Sequence, residues 1–158
     1  MVKEILLIGN PKLYEVSSAV EPHEVDAVKN VVEDLHDTLM AFRQKYGAGR
    51  AIAAPQIGFQ KRVIYMNIDQ PIVMINPILE FIGDEEMVVM DDCMSFPNLY
   101  VKVKRHKKCM LNFMDMNWRA CTLILEDDLS ELLQHEYDHL DGILATMRAI
   151  DNQSFFMK

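Results

Sequence analysis

Between residues 22 and 46 the apolar positions recur with the spacing of a single helix face. These positions are Val25, Val28, Val32, Leu35, Leu39 and Phe42. Apolar residues three and four apart lie on one side of an α-helix, so they can pack together against a core. Gly47 follows the run, and a glycine just past a periodic segment commonly ends a helix. The pattern predicts one long amphipathic helix from Pro22 to Tyr46.

The middle of the chain has a different pattern, with short apolar runs that are rich in β-branched residues and typical of strands. We predict strands at Val63–Met66, Val73–Ile75, Met87–Met90, Tyr100–Arg105, Lys108–Met114 and Ala120–Leu125. Residues that favour turns punctuate these runs, namely Pro71, Pro77, Gly83, Pro97 and Asn117. Connections this short favour antiparallel strands over crossover units, which need about a dozen residues or more.

A second helix is predicted to begin at Asp127 or Asp128. Asp128 and Glu131 have the spacing of a capping box, in which side chains bond the free backbone N–H groups of the first turn. This helix carries several leucines toward a core, namely Leu129, Leu132, Leu133 and Leu140. An early helix, antiparallel or mixed strands and a central second helix describe an α+β fold, in a single domain spanning residues 1–158.

Composition and charge agree with one globular unit and make some partners unexpected. Of the 158 residues 50% are apolar, which is enough for a sizeable core. The net charge is −8, so nucleic acid is not expected as a direct partner, because phosphate binding needs clustered Lys and Arg. One basic run alternates in part with Val101 and Val103, which favours the solvated face of a strand. Its residues are Lys102, Lys104, Arg105, Lys107 and Lys108.

The sequence predicts a cytoplasmic protein with reduced thiols and no membrane partner. The apolar stretch Ile5–Ile8 is too short for a signal-peptide core of about 7–15 residues or a membrane span of about 20. The three cysteines are odd in number and contain no CxxC pair, so a disulfide framework is not expected. A reduced cysteine is free to bind a metal ion.

The second helix contains the most informative motif, QHEYDHLDG at residues 134–142. His135 and His139 share a helix face one turn apart, so both imidazoles can reach one metal ion. Glu136 would lie beside that metal, free to act as a base. The alternative is an ordinary helix with two half-buried histidines. The helical context and the glutamate favour a zinc or iron site, which needs a third protein ligand.

The third ligand is expected upstream of the helix. After His139 the chain has no Glu, His or Cys, and Ala145 stands where one metalloprotease group has its third histidine. Of the upstream thiols, Cys109 and Cys121 lie in apolar strand patterns and favour core positions. Cys93 instead follows a strand in the polar segment MDDCMSFPN, from which a thiolate can meet the helix. The residues therefore favour a site made of Cys93, His135 and His139.

Together with two further motifs, this set resembles the peptide deformylases. GRAIAAPQIG at residues 49–58 is similar to the family's first motif, roughly GxGLAAxQ, and DDCMS at 91–95 is similar to the second, roughly EGCLS. QHEYDHLDG matches the third. The opening segment ILLIGNPKLYEVSSAV is similar to the family's first strand and turn, so the resemblance covers nearly the whole chain.

The resemblance implies a fold, an activity, a cofactor and partners. The fold is α+β, with strands around a central helix that carries HExxH. The activity is metal-dependent removal of the formyl group from the N-terminal methionine of nascent polypeptides. One divalent metal is implied, usually Fe(II), with Zn(II) or Ni(II) as replacements that also bind. The partner is an N-formylmethionyl peptide, with transient proximity to the ribosome, although no long final helix follows Gly142 to make an extended contact there.

The resemblance also assigns roles to residues. Cys93, His135 and His139 would be the metal ligands, and Glu136 would be the general base and proton carrier. The Gln56 side chain and the backbone N–H of Met94 would stabilise the developing oxyanion. Apolar residues would accept the methionine side chain, with Ile52, Met94 and Tyr137 as candidates.

Three positions depart from the family pattern. Ala51 replaces the second glycine of the first motif, which would crowd a backbone meant to approach the substrate. Asp91 and Asp92 replace Glu-Gly before the cysteine; Asp91 keeps a carboxylate, while Asp92 adds negative charge that would repel an acidic peptide. These departures leave two alternatives: an amidase of the same family that acts on another N-acyl group, and a non-catalytic metal-binding relative.

Overall fold

The computed structural model describes every residue from Met1 to Lys158 and contains two α-helices. Helix α1 spans Val25–Tyr46 and α2 spans Asp127–Leu140. Eight strands accompany them: β1 Ala51–Ala53, β2 Val63–Asn67, β3 Pro71–Phe81, β4 Glu86–Cys93, β5 Phe96–His106, β6 Lys108–Met114, β7 Ala120–Glu126 and β8 Phe155–Met157. Four 3₁₀ turns lie at Pro11–Tyr14, Pro22–Glu24, Ala54–Ile57 and Ala145–Arg148. The predicted α+β class is confirmed.

Helix α1 begins and ends where its local chemistry requires. The predicted start at Pro22 is a short 3₁₀ turn that leads into the helix, with the Glu21 N–H donating to the Glu24 carboxylate at 2.9 Å. At the other end Gly47 has a φ of 69°, and its N–H donates to the Arg43 carbonyl at 2.8 Å. Glycine adopts this left-handed conformation without a Cβ penalty, which ends the helix as predicted.

The strands form two antiparallel sheets. The larger sheet has five strands in the order β1-β2-β3-β6-β7, and the smaller has three in the order β4-β5-β8. Every named strand pair is antiparallel, as expected from the short connections. All six predicted strands are present, while β1 and β8, of three residues each, were not predicted because runs so short show no periodicity.

Three of the predicted turn residues lie inside strands instead. Pro71 and Pro77 belong to β3, and Pro97 belongs to β5. The register of β3 shifts between Ile75 and Ile78, and an irregularity there accommodates Pro77, which cannot donate a ladder hydrogen bond. Gly83 and the segment around Asn117 do form turns as predicted.

Helix α2 packs against strands of both sheets and buries its leucines. Leu133 and Leu140 are fully buried in a cluster with Met74 and Leu111, and Leu129 and Leu132 pack against it half-buried. The predicted capping box is wrong, because no side chain caps the first turn. The backbone supplies the contact instead, since the Asp127 N–H donates to the Lys107 carbonyl at 2.9 Å.

The end of α2 is crossed closely by the N-terminal segment. The Ser17 N–H donates to the Leu140 carbonyl at 2.8 Å, which joins the two chain segments. Gly142 follows with a φ of 71°, and a Cβ there would lie 2.5 Å from the Tyr14 carbonyl oxygen. Only glycine fits this approach without displacing backbone.

We expect Gly142→Ala to lower the free energy of unfolding by about 3 kcal/mol, because it adds a steric clash to the cost of positive φ. Gly83→Ala is a matched control, since Gly83 has a φ of 73° and nothing within 4 Å of the added Cβ. The control should lose only about 1 kcal/mol. Urea denaturation of the two variants measures both effects, and equal losses would show that the Tyr14 contact is unimportant.

Candidate metal centre

Three donor atoms from two distant parts of the chain converge under the helix. Cys93 Sγ lies 3.3 Å from His139 Nε2, which lies 3.2 Å from His135 Nε2. All three atoms lie within 4.8 Å of one another, and all three residues are buried. The two histidines come from one face of α2, and Cys93 comes from the last position of β4. The structure therefore brings together the residues that the sequence nominated as ligands.

This donor set fits a divalent transition metal. A tetrahedral ion with metal–sulfur and metal–nitrogen bonds of about 2.3 and 2.1 Å holds such donors roughly 3.3–3.6 Å apart, close to the observed spacings. Three buried electron pairs directed at one point repel one another unless a positive charge lies between them. One thiolate and two imidazoles are also ligands that iron, zinc and nickel accept. The three residues can thus hold one metal ion.

Electrostatics around the histidines likewise favour positive charge between the donors. Burial opposes protonation of His135, but Asp91 and the Cys93 sulfur outweigh it and raise the pKa of His135 well above its usual value. Burial and the neighbouring His135 lower the pKa of His139 well below its usual value, so this ring is neutral and can offer an electron pair.

Asp91 orients His135 by contacting Nδ1, the ring nitrogen that faces away from the other two donors. Its carboxylate lies 3.0 Å from His135 Nδ1, which directs Nε2 toward the other two donors. The second oxygen of Asp91 accepts a hydrogen bond from Arg105 at 2.8 Å. Burial opposes ionisation, but His135 and Arg105 lower the pKa of Asp91 to about 2. The shorter side chain that replaces the family's glutamate therefore still reaches both partners.

Arg105 does not lie on the solvated face predicted for the basic run. It is 3% exposed and bridges Asp91 to Asp138, whose carboxylate accepts from Arg105 at 2.7 Å. Arg148 adds two further hydrogen bonds to Asp138, at 2.6 and 2.9 Å. The prediction failed because residues alternate along β5, so that Lys102 and Lys104 face solvent while Arg105 faces α2.

Gln56 lies beside the Cys93 sulfur, and hydrogen bonds made by its side-chain amide hold it in place. Its Oε1 accepts from the Ala53 N–H at 3.0 Å, and its Nε2 donates to Ser95 Oγ at 3.1 Å and toward Cys93 Sγ at 3.5 Å. Its side chain is 1% exposed, yet it lines the cleft. The amide N–H groups are therefore fixed next to the donor set rather than free to rotate.

Met94 and Ser95 form the two-residue turn of the β4–β5 hairpin, where Cys93 pairs with Phe96. The Ser95 N–H points to Cys93 Sγ at 3.4 Å, and the Ser95 carbonyl accepts from the Ile8 N–H at 2.9 Å. The N-terminal segment thus holds the turn in place. Ser95 was not singled out from the sequence, although its position two residues after the cysteine could have indicated this contact.

Glu136 carries an unpaired carboxylate at the same place. It is 4% exposed, and its Oε2 has no hydrogen-bond partner. Burial raises the pKa of Glu136 to about 7 despite the opposing charge of His135. A carboxyl group with a pKa near neutrality can both accept and return a proton.

Five of the site residues line one open cleft of about 370 Å³, namely Gln56, Cys93, Met94, His135 and Glu136. Its apolar wall comes from α1, the β1 segment, the hairpin turn and α2, and includes Phe42, Tyr46, Ala51, Met94, Pro97 and Leu132. Two of the residues suggested for a methionine pocket do not line it. Ile52 is fully buried in the core, and Tyr137 lies under the Arg62 guanidinium on another side of α2.

The two remaining departures from the family pattern also lie at the cleft. Ala51 is 5% exposed and packs in the same core cluster as Leu133. Asp92 points outward from β4, and its carboxylate pairs with Lys158 at 2.8 Å. The charge of Asp92 is thus opposed by a lysine that the sequence patterns did not connect with it.

The sequence of the whole chain is similar to those of known proteins. The family model described as polypeptide deformylase matches residues 2–155. The chain belongs to the peptide deformylase family. A peptide deformylase of Dictyoglomus turgidum is 35% identical over 98% of this chain and 97% of its own length. Peptide deformylase 1 of Prochlorococcus marinus is 34% identical, over 98% of this chain and 84% of its own length.

A solved structure of the family has the same fold. The crystal structure of peptide deformylase from Thermotoga maritima matches with a TM-score of 0.86 at 27% identity, covering 96% of this chain and 99% of that one. The predicted resemblance to peptide deformylases is therefore confirmed. Separately, no helix in the structure combines the length and apolar character that crossing a membrane requires.

We expect Arg105→Met to lower the free energy of unfolding by about 3–5 kcal/mol, because it leaves the buried carboxylates of Asp91 and Asp138 without their shared cation. Lys104→Met is the control, since Lys104 is the exposed neighbour on β5 and its loss should change stability by about 0.5 kcal/mol or less. Chemical denaturation of the metal-free protein measures both. Similar stabilities of the two variants would mean that the buried network contributes little.

Proposed function

We propose that this protein is a metal-dependent hydrolase that removes the formyl group from the N-terminal formylmethionine of nascent polypeptides. The observation that carries the proposal is the convergence of Cys93, His135 and His139 next to a cleft that the unpaired carboxylate of Glu136 lines. Membership of the peptide deformylase family supports the same reaction. The two helices and both sheets would act as one domain, since α2 packs against strands of each sheet.

We assign Cys93, His135 and His139 as ligands of one divalent metal ion, with Fe(II) preferred and Zn(II) or Ni(II) as alternatives. Bound there, the metal supplies Lewis acidity for the formyl carbonyl and for the attacking water. Asp91 keeps His135 in the orientation that directs its Nε2 at the metal, and Arg105 holds Asp91.

Glu136 is the proposed general base and proton carrier. Its Oε2 takes a proton from the attacking water as the oxygen adds to the formyl carbon. The same carboxyl group then delivers that proton to the methionine nitrogen as the carbon–nitrogen bond breaks, which releases formate and a free amine. A pKa of about 7, raised by burial, suits both transfers.

Gln56 and the backbone N–H of Met94 are the proposed oxyanion donors. Donors of fixed direction stabilise the negative charge that develops on the carbonyl oxygen and cost no reorganisation in the transition state. The hydrogen bond from Ala53 to Gln56 Oε1 provides that direction for the side-chain amide. Met94 is held by its place in the hairpin turn, where the carbonyl of the next residue, Ser95, accepts a hydrogen bond from the Ile8 N–H.

The substrate's shape agrees with the cleft. The methionine side chain would contact the apolar wall that includes Phe42, Tyr46 and Leu132. The rest of the peptide leaves through the open mouth, so a chain still being synthesised can be processed. For such a substrate we propose a cytoplasmic location and transient proximity to the ribosome.

Metal binding can be tested independently of turnover. We expect the metal-free protein to bind one equivalent of Co²⁺ with a thiolate-to-cobalt charge-transfer band, because sulfur would be a direct ligand. Cys93→Ala should abolish the band, and His135→Ala should weaken binding. Cys121→Ala is the matched control, since this half-buried thiol lies away from the donor set. A band that survives in Cys93→Ala would exclude the proposed ligand set.

Glu136→Gln should lower the rate of formate release from formyl-Met-Ala-Ser by about 10²–10⁴-fold, because proton transfer is lost while the shape is kept. The assay uses enzyme loaded with iron under anaerobic conditions. The Glu136→Gln variant should still bind Co²⁺. The exposed carboxylate variant Glu126→Gln should retain activity. Faster hydrolysis of acetyl-Met-Ala-Ser than of the formyl peptide would instead favour an amidase for another acyl group. No turnover with metal bound would favour a non-catalytic relative.

A further inference from the structure

An ion pair lies on one wall of the cleft, next to the proposed metal ligands. Lys158 Nζ is 2.8 Å from Asp92 Oδ2, and the two side chains are 29% and 49% exposed. Both residues line the same cleft as Cys93 and His135. The pair is therefore open to solvent and lies on the wall of the cleft proposed to bind the peptide.

The backbone places both members of the pair independently of any ligand. Residues alternate along the end of β4, so that Asp91 and Cys93 face inward while Asp92 faces outward. Strand β8 pairs with β5, and the Lys158 N–H donates to the Asn98 carbonyl at 3.0 Å. The Lys158 ammonium also lies 4.9 Å from the centre of the Tyr100 ring. The lysine is thus held over the wall from a different strand than the aspartate.

Of the other charged groups at the cleft, Arg50 and Asp91 have partners and Glu136 belongs to the reaction. Glu131 lines the cleft from α2 without an ion-pair partner, and burial raises its pKa to about 7. Arg50 pairs with Asp128 at 3.2 Å, and Asp91 is buried against Arg105. Glu136 is the proposed base on α2. Asp92 and Lys158 are consequently the exposed opposite charges on the β4 side, where neither has a role in the chemistry.

We propose that Asp92 and Lys158 form a charge-balanced subsite for the residues that follow methionine, in which Lys158 cancels the charge of Asp92 so that acidic and basic peptides are accepted alike. The inference rests on the proposed function and defines its specificity. It accounts for an aspartate next to the metal-binding cysteine, because without Lys158 that charge would repel acidic peptides.

The expected effect is modest and follows from Coulomb's law. For a side chain bound at this subsite, a single uncompensated charge near water would change binding by about three- to tenfold. The effect should fade as ionic strength shortens the screening length.

The test compares formyl-Met-Asp-Ser, formyl-Met-Ala-Ser and formyl-Met-Lys-Ser as substrates at low salt. For the unaltered enzyme, kcat/KM for the acidic and basic peptides should agree within about threefold. Lys158→Met should lower the acidic-to-basic ratio by about three- to tenfold, and Asp92→Asn should raise it by a similar factor. The exchange variant with Asp92→Lys and Lys158→Asp, and the conservative Lys158→Arg, should restore a ratio near one.

A binding measurement gives a second readout that does not depend on turnover. Calorimetric dissociation constants of Met-Asp-Ser and Met-Lys-Ser should shift in the same directions in the two single variants. The shifts should shrink at high salt. If Lys158→Met does not fold, Asp92→Asn tests the same prediction from the other member of the pair.

The outcomes separate this inference from the proposed function. Turnover of formyl-Met-Ala-Ser with unchanged acidic-to-basic ratios in both single variants would overturn the subsite and leave the deformylase activity standing. An equal loss for all three peptides in Lys158→Met would also overturn it, because it would show that the lysine only holds β8. Failure to hydrolyse any formyl peptide would contradict the proposed function, while the product-binding shifts would still decide the subsite.

Discussion

The buried arginine between Asp91 and Asp138 is the interaction on which the rest of this centre depends. Arg105 comes from β5, Asp91 from β4 and Asp138 from α2, so one guanidinium joins the hairpin to the helix. Asp91 then reaches His135, and the hairpin that it anchors ends in Cys93. Burying these charges costs solvation, and the cost is offset only while every partner stays in place. The ion network therefore joins the strand that carries Cys93 to the helix that carries both histidines.

The same physical constraint explains why the centre is suited to a metal. Helix α2 holds two imidazoles in register through its own backbone, whereas the sulfur arrives on a strand of the smaller sheet. Bringing three electron-pair donors into a buried space is unfavourable unless a cation lies between them. The raised pKa of His135, caused by Asp91 and Cys93 against the effect of burial, expresses that preference for positive charge.

Segments outside the three motifs hold the cleft in shape. Near the N-terminus, the Leu6 N–H donates to the Gln56 carbonyl at 2.8 Å and the Ile8 N–H donates to the Ser95 carbonyl at 2.9 Å, so one segment ties two of the motifs together. Strand β8 pairs with β5, and Lys158, which follows β8, forms the ion pair with Asp92. Lys158 would thus rest on a different strand from the donors, whereas Asp92 shares β4 with Cys93.

The elements and the chemistry that are local in the chain could be predicted from the residues alone. The periodicity of α1, the six longer strands, the helical pairing of His135 with His139 and the motif around Cys93 all follow from spacing between near neighbours. Which distant charges meet depends on how the chain folds in three dimensions. The sequence pattern placed Arg105 with the solvent-exposed lysines around it and showed no link between Lys158 and Asp92. Strand pairing brings Arg105 to Asp91 and Lys158 to Asp92, although these residues are distant in the sequence. Local patterns encode which face a residue occupies, but the partner on that face depends on how the sheets and α2 pack.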